Sequence, residues 1–168
     1  MNEASTLRRV RLILILFVVA LFISGATAIP LRFELGILDS IAGDGTSIAR
    51  IWPSLARWIT RVHDALEEMT DKHAFLAYGY DWLAFGHFAI AVIFLGAIRD
   101  PVRNRWTVEA GMIACVLVVP YAIVFGQIRG IPIFWRVIDT LFGIVGIIPL
   151  WYVRRQLMRL EASQGALA

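Results

Sequence analysis

The chain has 168 residues, 59% of them hydrophobic and 17% charged, a net charge of +3 and a single cysteine, Cys115. A soluble domain of this length is typically about 45–50% apolar, and the excess here lies in long unbroken runs, the pattern of a chain that crosses a membrane. The weak, scattered positive charge excludes the basic footprint of a nucleic-acid binder, and the lone thiol excludes an intrachain disulfide, a CxxC redox pair and a cysteine zinc cluster.

The first apolar run extends from Leu12 to Leu31, behind Arg8, Arg9 and Arg11, and stops at Arg32. Its end contains Ala26-Thr27-Ala28, so cleavage as a signal peptide is a competing reading. The run is longer than the usual h-region of about 7–15 residues, which favours a retained spanning helix. Residues 32–80 then form a polar-and-apolar segment predicted to be an extracytoplasmic helical cap. Within it, "FELGILDSIAGDG" predicts a short interfacial turn of helix followed by a loop at Gly43-Asp44-Gly45. From Leu55, the residues Trp58, Ile59, Val62, Leu66 and Met69 recur at three- and four-residue steps, a helical stripe that starts at Pro53-Ser54. Arg57, Arg61, Asp64, Glu67 and Glu68 occupy the other face. Such an amphipathic helix is expected on the membrane surface or over a bundle, apolar side down.

Three further runs follow at about 83–98, 107–128 and 131–153, each near the roughly 20 residues that cross about 30 Å of hydrocarbon. Arg8, Arg9 and Arg11, then Arg99, Arg103 and Arg105, then Arg154, Arg155 and Arg159 all fall on one side of four such spans. That side is expected to be the cytoplasm. Tyr78, Tyr80, Trp82 and Trp135 then mark the outer interface, and Trp106 and Trp151 the inner one. The predicted fold is an all-α integral membrane protein: a four-transmembrane-helix bundle in a single domain, residues 1–168, with an amphipathic helical segment outside. Its predicted location is the plasma (inner) membrane, with both termini cytoplasmic.

Inside the fourth run stand two charges, Arg136 and Asp139. An uncompensated charge near the centre of a bilayer costs on the order of 2.5–3.5 kcal/mol on insertion scales. Residues three apart share a helix face, so the two can pair directly. Counting inward at about 1.5 Å per residue puts Asp139 roughly 12 Å deep. The same count brings His87, Tyr121 and Ser24 to that level, with Arg136, Gln127, Arg129 and Asp81 above it. The layer predicts an outward-facing polar pocket, with Arg136 and Asp139 as its charge pair, His87 and Tyr121 as its wall, and Gln127, Arg129 and Asp81 toward the rim. The simpler reading makes Arg136–Asp139 a structural ion pair and His87 an interhelical hydrogen bonder.

In "HDALEEMTDKH", His63, Glu67 and Asp71 line one helix face with His73 nearby, a weak divalent-metal candidate against the alternative of a solvated charged face. Haem is a further alternative, with His87 as the only histidine inside a run. No GxSxG, HExxH, P-loop or dinucleotide fingerprint is present. The expectation is therefore a non-catalytic membrane component that binds a small ligand or lipid, or an accessory subunit of a larger assembly. The alternative is a membrane enzyme or haem/redox protein built on His87 and Asp139. The expected partners are the lipid bilayer and either other membrane subunits or further copies of the chain.

Overall fold

The computed structural model describes residues 3–165, and these are helical almost throughout, with no strand among them. The helices are α1 (Glu3–Ala28), α2 (Leu31–Ala42), α3 (Ser47–Ile51), α4 (Pro53–His73), α5 (Tyr78–Arg99), α6 (Arg105–Ile128) and α7 (Ile133–Gly165), with a 3-10 turn at Ala74–Ala77. Four segments are long and apolar enough to cross a membrane: α1, the stretch Pro53–Arg99 with its apolar part in α5, α6 and α7.

The breaks between helices follow from local chemistry. The helix α1 ends at Ala28 rather than running on through Leu31. Pro30 lacks an N–H and disfavours helical geometry at the residue before it. At the other end of the chain, α6 closes with a Schellman motif. Ile131 N donates to Gly126 O at 2.8 Å and Gly130 N to Gln127 O at 3.2 Å. Gly130 takes φ of +69°, the left-handed position that such a cap assigns to glycine. Four residues, 129–132, thus join α6 to α7 as an antiparallel hairpin.

Contacts divide the chain into two compact units, one formed by Leu21–Ala89 and the other by the described residues up to Ala20 and from Ile90 onward. In the first unit, α2 packs on α4 and buries Ala42, Ala56 and Ile59. The segment read from sequence as a short turn of helix is in fact a 12-residue helix, α2. Asp39, Asp44 and Thr60 tie the loop after it: Thr60 Oγ1 donates to Asp39 Oδ1 at 2.5 Å and accepts from Asp44 N at 2.9 Å. Gly25 of α1 lies against α5, where a Cβ would stand 2.9 Å from His87 Cβ and 3.0 Å from Ala84 O.

The second unit is organised around the α6–α7 pair. Gly143 permits the closest approach: a Cβ there would lie 2.3 Å from the Cys115 carbonyl oxygen. Toward the C-terminal end of α7 the packing changes character. Val10, Leu14, Val108, Leu150, Val153 and Leu157 are fully buried. Arg154 Nε bonds Glu109 at 2.9 Å, Arg105 reaches both Glu109 and Glu161, and Ser163 donates to Glu3 at 2.9 Å.

Candidate functional site

The seven residues of the expected polar layer are divided between the units. Asp81 and His87 belong to the first, and Tyr121, Gln127, Arg129, Arg136 and Asp139 to the second.

In the second unit, Arg136 stands one turn into α7 and extends its side chain across α6. The crossing is possible because Gly126 has no side chain: a Cβ there would be 2.3 Å from Arg136 Cδ and 2.5 Å from Cγ. The guanidinium donates through Nη1 to Ile123 O at the long distance of 3.5 Å, and its buried Nε has no hydrogen-bond partner. Among the described residues, no ion pair joins Arg136 to Asp139. The i,i+3 spacing brings the two to neighbouring positions on α7, but the space over Gly126 draws the arginine stem sideways instead. Asp139 is half-buried, and Thr140 beside it bonds the carbonyl of its own helix at Val137. Tyr121 is 64% exposed and stacks on Phe125, ring centroids 4.4 Å apart. Gln127 and Arg129 are exposed at the end of α6.

In the first unit, His87 Nδ1–H donates to the Leu83 carbonyl at 2.8 Å, one turn back on α5. In the neutral ring that bond leaves Nε2 as the lone-pair atom. Asp81 is exposed in the first turn of α5, where the helix dipole favours a carboxylate.

The face His63–Glu67–Asp71 forms as expected, but its main partner is an arginine from α2. Arg32 Nε bonds Glu67 at 2.8 Å and Arg32 Nη1 lies 3.0 Å from Asp71. His63 Nδ1 is 3.5 Å from Asp64 and 4.0 Å from Asp39, and its Nε2 is 4.0 Å from Glu67. The Arg32 guanidinium holds the Glu67 carboxyl below its ordinary value, by hydrogen bond first and charge second. No group of three metal-ligating side chains gathers among the described residues. Asp71 is drawn to Arg32, and His73 turns edge-on to Phe75 at 6.1 Å. Between α2 and α4 lies an open groove of about 580 Å³, lined by the apolar Ile29, Pro30, Phe33 and Ile37 and by the polar Arg32, Ser40, His63 and Glu67. Sequence reading missed this groove, because Arg32 and Glu67 are 35 residues apart. The one local signal was the four-residue spacing of Phe33, Ile37 and Ile41.

Over its described residues the chain is thus all-helical, with four segments long and apolar enough to cross a membrane. No protein family, curated protein or solved structure matches it.

Proposed function

We propose that the chain is a plasma-membrane protein of four spanning helices in one membrane domain, with both ends cytoplasmic and an amphipathic helical cap over residues 32–80 outside. Its function is to bind a small anionic ligand or lipid, alone or as an accessory subunit, on the extracytoplasmic side of the bundle. Arg136 supplies the binding charge. Gln127 and Arg129 form the rim on its own unit, and Tyr121 and Asp139 of that unit complete the polar layer.

The observation that carries this reading is the unneutralised state of Arg136. A cation in a span needs a counter-charge, a wet cavity or backbone carbonyls to offset its cost. Here it has one long carbonyl contact and an unsatisfied Nε. An anionic group from a ligand or a partner subunit would complete that coordination, as charge-assisted bonds to guanidinium do elsewhere.

Native mass spectrometry of the protein in gentle detergent tests it, comparing wild type with Arg136→Met, which keeps the stem over Gly126 and removes the charge. Loss of a bound anionic species in the variant is the expected result. Identical bound species in both would sink the assignment. Side-specific labelling of single cysteines at each terminus, in a Cys115→Ala background, tests the topology: labelling of either end from outside contradicts it.

One observation favours a redox reading as the alternative. The Nδ1–H bond to Leu83 leaves His87 Nε2 able to ligate a metal or act as a base. A Soret band that vanishes in His87→Ala would establish haem, and a colourless preparation would remove it.

A further inference from the structure

We propose that the groove between α2 and α4 is a headgroup site for a zwitterionic, amine-bearing phospholipid of the surrounding bilayer. The inference rests on the reading of α1 as a span and is independent of the Arg136 site.

The position of the groove follows from the chain. The helix α1 ends at Ala28 and α2 begins at Leu31, so a spanning α1 delivers α2 directly to the membrane–water boundary. There α2 shows two unlike sides. Toward α4 it buries Ala42, while Phe33, Ile37 and Ile41, each four residues from the next, stay exposed, Phe33 to 70%. An apolar ridge of this kind at a boundary meets acyl chains. The groove's apolar wall, Ile29, Pro30, Phe33 and Ile37, is continuous with that ridge.

The polar wall carries both signs of charge. Arg32 is held by Glu67 and Asp71 through Nε and Nη1. No ion pair involves its Nη2 among the described residues, which suits a phosphate. Around Arg32 and His63 stand four carboxylates, Asp39, Asp64, Glu67 and Asp71, all within 4.0 Å of one or the other. One guanidinium does not balance four carboxylates. An anionic headgroup alone would be repelled, whereas a headgroup ammonium is attracted to Glu67 while its phosphate meets Arg32. A volume of about 580 Å³ falls in the range of small-molecule sites, about 300–1,000 Å³.

Gly36 lines the groove as well. A glycine inside a helix is less stable than alanine would be, and here nothing forbids a side chain: a Cβ would meet only His63 Nε2, at 3.7 Å. Its bareness keeps the groove open. Filling it should block the site without disturbing the α2–α4 contact.

The full chain is reconstituted in nanodiscs containing equal phosphatidylethanolamine and phosphatidylglycerol, extracted gently, and its retained lipids are counted by native mass spectrometry. With the Arg136 site disabled by Arg136→Met, the chain is expected to retain the ethanolamine lipid with a preference of about fivefold, the worth of roughly one charge near a lipid surface. In that background Gly36→Leu should lose the ethanolamine lipid and Glu67→Gln should retain lipid without the preference, while wild type should retain the same ethanolamine lipid and an anionic lipid besides. Ser40→Leu fills the same groove one turn further along α2 and replaces Gly36→Leu if circular dichroism shows that variant unfolded. Equal retention of both lipids by Arg136→Met overturns the proposal, as does full ethanolamine-lipid retention by a folded, groove-filled variant. Loss in Arg136→Met with retention in Gly36→Leu alone would move the lipid to the other site and equally overturn it. Resistance of the chain to carbonate extraction from membranes is read separately, so the span reading and the headgroup site fail independently.

Discussion

Two stretches of the α6–α7 pair are held together by opposite means. Along the apolar middle, large side chains such as Leu117 and Phe142 point outward and stay exposed, and the helices meet through Gly143 and Gly126. Toward the C-terminal end of α7 the order reverses: Leu150, Val153 and Leu157 are buried, and Arg105, Glu109, Arg154 and Glu161 form an ion-pair chain around them. The contrast matches a change of solvent. In lipid, burying a leucine between helices gains little, because the tails outside are equally apolar, so close backbone approach through small residues does the holding. In water, the same leucine gains about 25 cal/mol for each Å² removed from solvent.

The sharpest way to break the first arrangement is Gly143→Val. Its Cβ would overlap the Cys115 carbonyl and stand 2.5 Å from Val118 Cγ1. Backbone cannot swing aside as a side chain does, so the expected loss is about 3 kcal/mol, read as a lower unfolding midpoint in detergent. An unchanged midpoint would mean that the seam does not depend on close approach. The second arrangement should respond to Leu157→Ala with a loss of about 2–4 kcal/mol, while Leu117→Ala, at 60% exposure, should lie within about 0.5 kcal/mol of wild type. Equal costs for the two leucines would erase the contrast.

Smaller still is Glu109→Gln, which strands Arg154 and leaves Arg105 to Glu161, at a side chain 21% exposed. A loss of about 1 kcal/mol is expected, shrinking as salt is raised. An effect that does not vary with salt would speak against the ion pairs. The mildest effect concerns the cap. Glu67 is held below its ordinary 4.5 by Arg32, and Glu68 likewise by Lys72. A lowered carboxylate contributes stability that is full above pH 4.5 and is lost as pH falls through the lowered value. Hydrogen-exchange protection of α2 and α4 should therefore fall below that pH, and Arg32→Gln should flatten the dependence. An identical profile in the variant would remove Arg32 as the cause.

Much of the helical framework was legible from the sequence because its signals are local. Run length announces α1, α6 and α7, and Pro53 and Gly130 mark a start and a stop. The Pro30 stop, by contrast, was overrun by three residues because apolar character continues to Leu31 when helical geometry cannot. The side-chain arrangement was much less accessible. Spacing alone suggests that Arg136 turns to Asp139, and only the neighbouring helix reveals the space over Gly126 that it occupies. Likewise His63, Glu67 and Asp71 could be placed on one face, but the arginine that claims two of them arrives from another helix. Charges within a turn of each other can be placed on one face; which partner each one takes needs the packing first.

The tight link at residues 129–132 also limits how this protein can assemble. Ile128 and Ile133 are five steps apart along the chain, about 16–18 Å at full stretch, and here the link is folded into a compact cap. Helix axes in contact lie about 8–10 Å apart, so a third rod slipped between α6 and α7 would force them roughly 16–20 Å apart at that end. A neighbour could wedge itself in there only by unwinding that cap and stretching the link to its limit; company for this pair comes more readily alongside.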